Sequence, residues 1–207
     1  MKAVFLDRDG TLNVNTGYVG DPENVVLVPH AAEGARMLAG EGFALVVISN
    51  QSGIARGYFT ETDADAVDAR LKQLLASRGV AVAAMYRCPH WPDDERPESV
   101  TPCDCRKPKP GMLLRAAADL DLDLTRSWVV GDRLLDMQAG RAAGCRCVLV
   151  RGVPPHHPEE DFSSAEPEYR AADLRDASRY IIEQDKAASV VPERSSGSRS
   201  SGSESHA

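Results

Sequence analysis

The amino-acid sequence predicts a Rossmann-like three-layer α/β sandwich built on a mostly parallel sheet, and three observations lead there. Apolar, β-branched runs recur at Ala3 to Leu6, Ala44 to Ile48, Trp128 to Val130 and Cys147 to Val150, each with the length and composition of a buried strand. Helix-like segments alternate with them, which implies right-handed crossovers and a sheet covered on both faces. Polar signatures stand directly after the strands, at the carboxyl ends where open α/β sheets bind ligands.

Taken in order, the first strand runs straight into Asp7-Arg8-Asp9-Gly10-Thr11, so two carboxylates arrive at its end; an Asp-Gly turn is the plainer reading of the same residues. Ala31 to Ala39 reads as the first helix. After the second strand comes Ser49-Asn50-Gln51-Ser52-Gly53, and then a helix over Thr62 to Ala76, where Ala66, Val67, Leu71, Leu74 and Leu75 recur at helical spacing. Val80 to Tyr86, following Gly79, supplies a further strand. Arg106-Lys107-Pro108-Lys109-Pro110-Gly111 precedes the helical pattern Met112 to Ala118. Gly131-Asp132-Arg133 follows the Trp128 strand, with Asp136 beyond it and a helix over Arg133 to Ala143. No internal repeat is visible. The globular domain is expected over 1–187, and the Ser/Gly-rich stretch 188–207 is expected to be a disordered tail.

Composition narrows the partners. With 207 residues and a net charge of −7, the chain has the size of one ordinary domain and no basic stripe to attract nucleic acid or an anionic membrane. No apolar run approaches a membrane span, and the N-terminus enters a strand without a signal peptide. A cytoplasmic, monomeric protein acting on a small molecule is the expectation. Five cysteines fit a reducing compartment better than a disulfide framework.

Two constellations carry chemistry. At one rim of a parallel sheet the strand-end segments would assemble three carboxylates, a hydroxyl with backbone amides, and several cations, a set suited to a phosphate and Mg²⁺. Taken singly, Ser49 reads equally as a turn or cap residue and Asp132 as a helix cap. The second constellation is Cys88-Pro89-His90 and, after Trp91 to Pro102, Cys103-Asp104-Cys105. Three thiols and an imidazole, Cys88, His90, Cys103 and Cys105, are a tetrahedral Zn²⁺ set of the closed, structural kind. The intervening residues hold little aliphatic material, so a metal clip over 88–105 would replace a core. Cys145 and Cys147 enter an apolar strand and read as buried thiols.

With the motifs D-x-D-G-T at Asp7, Ser49 after the second strand, Lys107 before a proline, and Gly131-Asp132 with Asp136, the chain resembles the phosphatases of the haloacid dehalogenase superfamily. The resemblance implies Asp7 as nucleophile, Asp9 as general acid and base, Ser49 and Lys107 on the phosphoryl group, and Mg²⁺ on Asp7, the Asp9 carbonyl and Asp132. Lys109 also precedes a proline and rivals Lys107, which the family pattern favours. The zinc loop is similar to that of the heptose 1,7-bisphosphate phosphatases and the related histidinol-phosphate phosphatases. The first group is favoured by the stretches Asn13 to Val19, Ser49 to Gly57 and Cys105 to Pro108. By that resemblance Asn15, Thr16, Gly17, Tyr18, Ser49, Asn50, Gln51 and Ser52 line the substrate, Arg106 recognises its distal part, and Arg133 sits at the phosphate rim. On charge alone Arg106 reads as well as a solvated cation beside the zinc thiolates. Histidinol-phosphate phosphatase or a broader sugar phosphatase is the alternative within the class, and a non-catalytic phosphate-binding zinc scaffold the alternative outside it. No large insertion separates the motifs, so no cap domain is expected and short loops must close the site.

Overall fold

The computed structural model describes residues 1–153 and 160–189. Its centre is a six-stranded sheet in the order β3-β2-β1-β4-β5-β6, with every pair parallel. The strands are β1 (Ala3–Asp7), β2 (Ala44–Asn50), β3 (Ala84–Cys88), β4 (Trp128–Gly131), β5 (Arg146–Val150) and β6 (Tyr169–Ala171). Helices α1 (Ala31–Gly40), α2 (Glu61–Ala76), α3 (Gly111–Leu120), α4 (Leu134–Ala142) and α5 (Leu174–Ser189) cover it. Leu38, Leu71 and Ile181 bury α1, α2 and α5 with Val4, Leu6 and Val47 on one face. Met112, Leu113 and Met137 bury α3 and α4 with Phe5, Val46 and Val129 on the other. Alternation along β1 thus divides one strand between two cores, the expected three layers.

Strand order reverses at β1: the chain leaves it for β2 and β3 on one side and returns to β4 on the other. The carboxyl ends of β1 and β4 therefore diverge from their connections and leave a crevice, the usual ligand position in such sheets. Register aligns the polar ends. Asp7 lies beside Ile48, Ser49 beside Arg87, and Asn50 beside Cys88.

Several boundaries differ from those read in the sequence. Val80 and Val82 are buried but precede β3, which begins at Ala84 and runs to Cys88; burial in the core, not strand pairing, accounts for their apolar character. Helix α4 starts at Leu134 with Arg133 as its N-cap, so Asp132 is not the cap; the Asp136 carboxylate accepts from Arg133 N at 3.1 Å instead. Helix α2 starts one residue early because Thr60 and Asp63 form a reciprocal capping box. Strand β6 and helix α5 add a sheet edge and a packing helix that hydrophobic patterning left unread. Helix α5 also takes in Ala188 and Ser189, which composition assigned to the tail; residues 190–207 lie outside the described residues.

Candidate active site

Strand β1 delivers Asp7 to the crevice, where Lys107 meets it. The Lys107 ammonium, 3% exposed, donates to Asp7 Oδ1 at 2.5 Å, to Asp136 Oδ1 at 2.6 Å and to the Ile48 carbonyl at 3.2 Å. Its backbone is bracketed from β2, since Asn50 Nδ2 donates to the Lys107 carbonyl and Lys107 N donates to Asn50 Oδ1, both at 3.0 Å. Lys109 is drawn elsewhere: it donates to the Cys103 carbonyl at 2.8 Å and pairs with Asp93 at 2.8 Å. Geometry thereby separates two lysines that one local pattern could not. Burial alone would favour loss of the Lys107 proton, but Asp136 and Asp7 reverse that and hold the proton above the ordinary lysine range.

Asp7, Asp132 and Asp136 bring carboxylate oxygens within 4.8 Å of one another. Burial pushes the Asp7 carboxyl up to about 7, Lys107 opposing and Asp136 adding to the rise. Asp132 is pushed up to about 8 by burial, then by Asp7 and Asp136. Its Oδ1 is buried and lacks a hydrogen-bond partner among the described residues. Glycines make room for this carboxylate: a methyl group on Gly10, whose φ is +100°, or on Gly152 would collide with it. Three acids facing one ammonium leave negative charge uncompensated, and an all-oxygen donor set of this kind fits a hard divalent cation. Asp136 is already engaged by Lys107 and Arg133 N, so the carboxylates with capacity to spare are Asp7 and Asp132.

Asp9 faces the same cleft and is held from three sides. Arg8 donates to its Oδ2 through Nε and Nη2 at 3.1 and 2.8 Å, Gln51 Nε2 donates to the same oxygen at 2.9 Å, and Asn13 Nδ2 donates to Oδ1 at 3.0 Å. Gln51 Nε2 also donates to the Ser49 hydroxyl at 2.6 Å. Around these groups opens a cleft of about 320 Å³, lined by Asn15, Gly17, Tyr18, Asn50, Gln51, Ser52, Arg106 and Arg133. Thr16 is exposed and, unlike Asn15, Gly17 and Tyr18, is not among the residues that line it. Arg106 donates to the His90 carbonyl at 3.2 Å and still lines the cleft, so it faces the zinc loop and the cavity at once. Arg133 is held by Glu160 at 3.3 Å.

Residues absent from the sequence-based site also line the cleft. Arg56 pairs with Glu95 across the opening, and its guanidinium lies 4.8 Å from the Trp91 ring centroid and 5.8 Å from that of Tyr18. It stands in the stretch after Ser49 that carried the family resemblance. Arg8 does not line the cleft but pairs with Asp9, and its place between the two aspartates was the signal at hand in the sequence.

On the far side of Lys107 lies the second cluster. Cys88 closes β3, and its Sγ sits 3.6 Å from Cys103 Sγ and 3.5 Å from His90 Nδ1, while His90 Nδ1 is 3.3 Å from Cys105 Sγ. All four ligand atoms lie within 4.8 Å of one another. A tetrahedron with Zn–S bonds of about 2.3 Å has edges near ~3.8 Å, so this set could hold zinc with little movement.

Comparison with known proteins agrees with that geometry. The family model described as HAD-hydrolase-like matches residues 104–177. The D-glycero-beta-D-manno-heptose-1,7-bisphosphate 7-phosphatase of Yersinia pestis is 47% identical over 154 residues, which cover 74% of this chain and 82% of that protein. The protein of the same name from Escherichia coli K12 is 47% identical over 160 residues, 77% of this chain and 84% of its own. A crystal structure of D,D-heptose 1,7-bisphosphate phosphatase from B. bronchiseptica, complexed with magnesium and phosphate, superimposes with a TM-score of 0.77 at 32% identity, covering 89% of this chain and 99% of that one. By identity along most of both chains and by fold, the chain belongs to the haloacid-dehalogenase-like hydrolases and, among them, to the family of D-glycero-beta-D-manno-heptose-1,7-bisphosphate 7-phosphatases.

Proposed function

We propose that this chain is a Mg²⁺-dependent phosphomonoesterase of heptose biosynthesis that removes the 7-phosphate of D-glycero-β-D-manno-heptose 1,7-bisphosphate and leaves the 1-phosphate in place. The observation that carries the reading is a buried Lys107 tying Asp7 to Asp136 beside an unpartnered Asp132 oxygen. The relatives' names supply the sugar and its β configuration.

Asp7 attacks the phosphorus and forms an aspartyl-phosphate, while Asp9 protonates the departing C7 oxygen. Asp9 then takes a proton from the water that cleaves the acyl-phosphate. Ser49 and Lys107 donate to the phosphoryl oxygens through both halves. Mg²⁺, held by Asp7, Asp132 and the Asp9 carbonyl, would supply further neutralisation of those oxygens. Uncatalysed monoester hydrolysis is slow enough that the combined effect must approach roughly 20 kcal/mol or more, which no single group provides. Asn15, Thr16, Gly17, Tyr18, Asn50, Gln51 and Ser52 shape the sugar pocket. Arg106 takes the distal phosphate, and Arg133 supports the phosphoryl rim.

Zn²⁺ on Cys88, His90, Cys103 and Cys105 is structural in this reading, shaping the loop that carries Arg106 and Lys107. The same reading makes residues 1–189 one catalytic domain without a separate cap, acting as a cytoplasmic monomer. No helix among the described residues is long and apolar enough to cross a membrane.

A phosphate-release panel tests the proposal. It compares the α and β heptose 1,7-bisphosphates with histidinol phosphate at matched concentrations, with phosphorus NMR to identify the retained group. The β bisphosphate should be the best substrate and should keep its anomeric phosphate. If histidinol phosphate is turned over faster, the heptose assignment falls and that substrate replaces it.

A further inference from the structure

The most unusual charged group outside the assigned chemistry is Arg8. It follows the nucleophile candidate directly, yet its side chain is 1% exposed. Burying a guanidinium is costly unless its N–H groups are paired, and two carboxylates from different parts of the fold pair it. Nε and Nη2 take Asp9 Oδ2, and Nη1 takes Asp68 Oδ1 on α2 at 3.0 Å. Asp68 is fixed in turn, because its Oδ2 accepts from Arg87 Nη1 at 2.9 Å, and Arg87 stands on β3 beside Ser49 in register. A planar guanidinium bound at both ends has one orientation, which a lysine in its place would not have.

The consequence falls on Asp9. Its Oδ2 accepts three N–H groups, two from Arg8 and one from Gln51, which exhausts the lone-pair directions of a carboxylate oxygen. Oδ1 accepts one, from Asn13, and keeps capacity. We infer that Arg8, braced by Asp68, is a positioning residue that fixes the Asp9 carboxylate with Oδ1 as the oxygen that carries the transferred proton. The inference rests on the general acid and base role proposed for Asp9, and goes beyond it by naming the oxygen and what aims it. In the first half-reaction the Oδ1 proton passes to the leaving oxygen as the P–O bond breaks and its electron pair stays on that oxygen. In the second, Oδ1 takes a proton from water as the water oxygen bonds to phosphorus and the Asp7 carboxylate leaves. Oδ2 remains an acceptor throughout.

A buried ion pair that merely supports the fold would weaken every substrate alike. A misaimed acid weakens the substrates whose leaving group needs a proton. The test therefore compares kcat/KM for an alkyl phosphate, with its basic leaving oxygen, against 4-nitrophenyl phosphate, whose leaving group departs unprotonated. Wild type, Arg8→Met, Arg8→Lys, Asp68→Asn and Asp9→Asn are each assayed as the full chain, with circular dichroism to verify folding.

Arg8→Met should lower kcat/KM for the alkyl ester by about 100-fold, the lower range for a lost general acid, and for the aryl ester by less than about 5-fold. The aryl ester should then show a burst of nitrophenolate, because the water-activating half is slowed too. Asp68→Asn and Arg8→Lys should show the same selectivity with smaller losses, and they carry the test if Arg8→Met does not fold. Equal losses on both esters, or none, would overturn the positioning role while Asp9→Asn still behaves as an acid-deficient enzyme. If Asp9→Asn itself penalises the alkyl and aryl esters equally, it is the Asp9 assignment that fails.

Discussion

The oxygen cluster at Asp7, Asp132 and Asp136 and the sulfur cluster at Cys88, His90, Cys103 and Cys105 lie on either side of one short segment, Arg106-Lys107, but are built in opposite ways. The oxygen cluster grows from the ends of β1 and β4 and the first turn of α4, is closed by a salt-bridged lysine, and has two hydrophobic cores beneath it. In the sulfur cluster Cys88 alone belongs to a strand, and the residues from Trp91 to Pro102 have almost no buried apolar side chains. The sheet can shape the first without an ion. In the proposed reading the second needs a zinc ion to replace the missing core. Cys105 adjoins Arg106 and Lys107, so the soft site aims cations into the hard one.

The sharpest break of this comparison comes from Asp7→Asn. Turnover should fall to below about one-thousandth of the parent rate, while bound zinc and the circular dichroism spectrum stay unchanged. Residual phosphate release of more than a few percent would remove Asp7 as nucleophile.

Arg106→Ala tests whether the segment between the clusters serves the substrate or just the thiolates. Loss of a charge-assisted contact to the distal phosphate should cut kcat/KM for the bisphosphate by about 10- to 100-fold and spare a simple aryl phosphate. Equal effects on both substrates would return Arg106 to the role of a counter-ion beside the zinc loop.

A smaller effect is expected from Cys103→Ser. Zinc content, measured by metal analysis of protein purified without chelators, should drop from one per chain. The 88–105 loop should become sensitive to protease, and activity should fall several-fold through misplacement of Arg106 and Lys107. Parent protein found without zinc would remove the structural-ion reading.

The smallest effect is a shift in thermal stability with pH and magnesium. Asp7 and Asp132 are raised in the metal-free fold to about 7 and about 8, above the ordinary carboxylate value of 3.8. The folded state then binds more protons than the unfolded one, so these groups stabilise it most in acid, below that ordinary value. Their contribution is lost as pH rises through 7 and 8. Magnesium competes with those protons, and its stabilisation should exceed that at pH 6 by about 2–4 °C in Tm at pH 8. A magnesium effect independent of pH would mean that the cation does not bind these carboxylates.

Legibility differs between the same two regions. Strands β1, β2, β4 and β5 are legible because a buried parallel strand needs a run of apolar residues, and Asp7, Asp9, Ser49 and Asp132 are legible because they follow such runs. The Cys/His set is legible from spacing, since four soft ligands so close in sequence have few other uses. Strand β6 is not, because three residues, Tyr169–Ala171, pair with β5 on a partly polar edge that carries no period. The family pattern favours Lys107 over Lys109, but their local setting does not, and they part company where Asn50 brackets one and Asp93 holds the other.

The sequence by itself determined the chemistry available at each strand end, because covalent order places a motif after its strand whatever the rest of the chain does. Tertiary structure alone decided which of those groups act on one another. Arg8 is buried and paired because α2, sixty residues on, brings Asp68 against it. Asp136 holds Lys107 because β4 pairs with the strand that carries Asp7 and α4 packs on β4. Contacts of that kind are set by the packing of whole layers, and no local period or spacing encodes them.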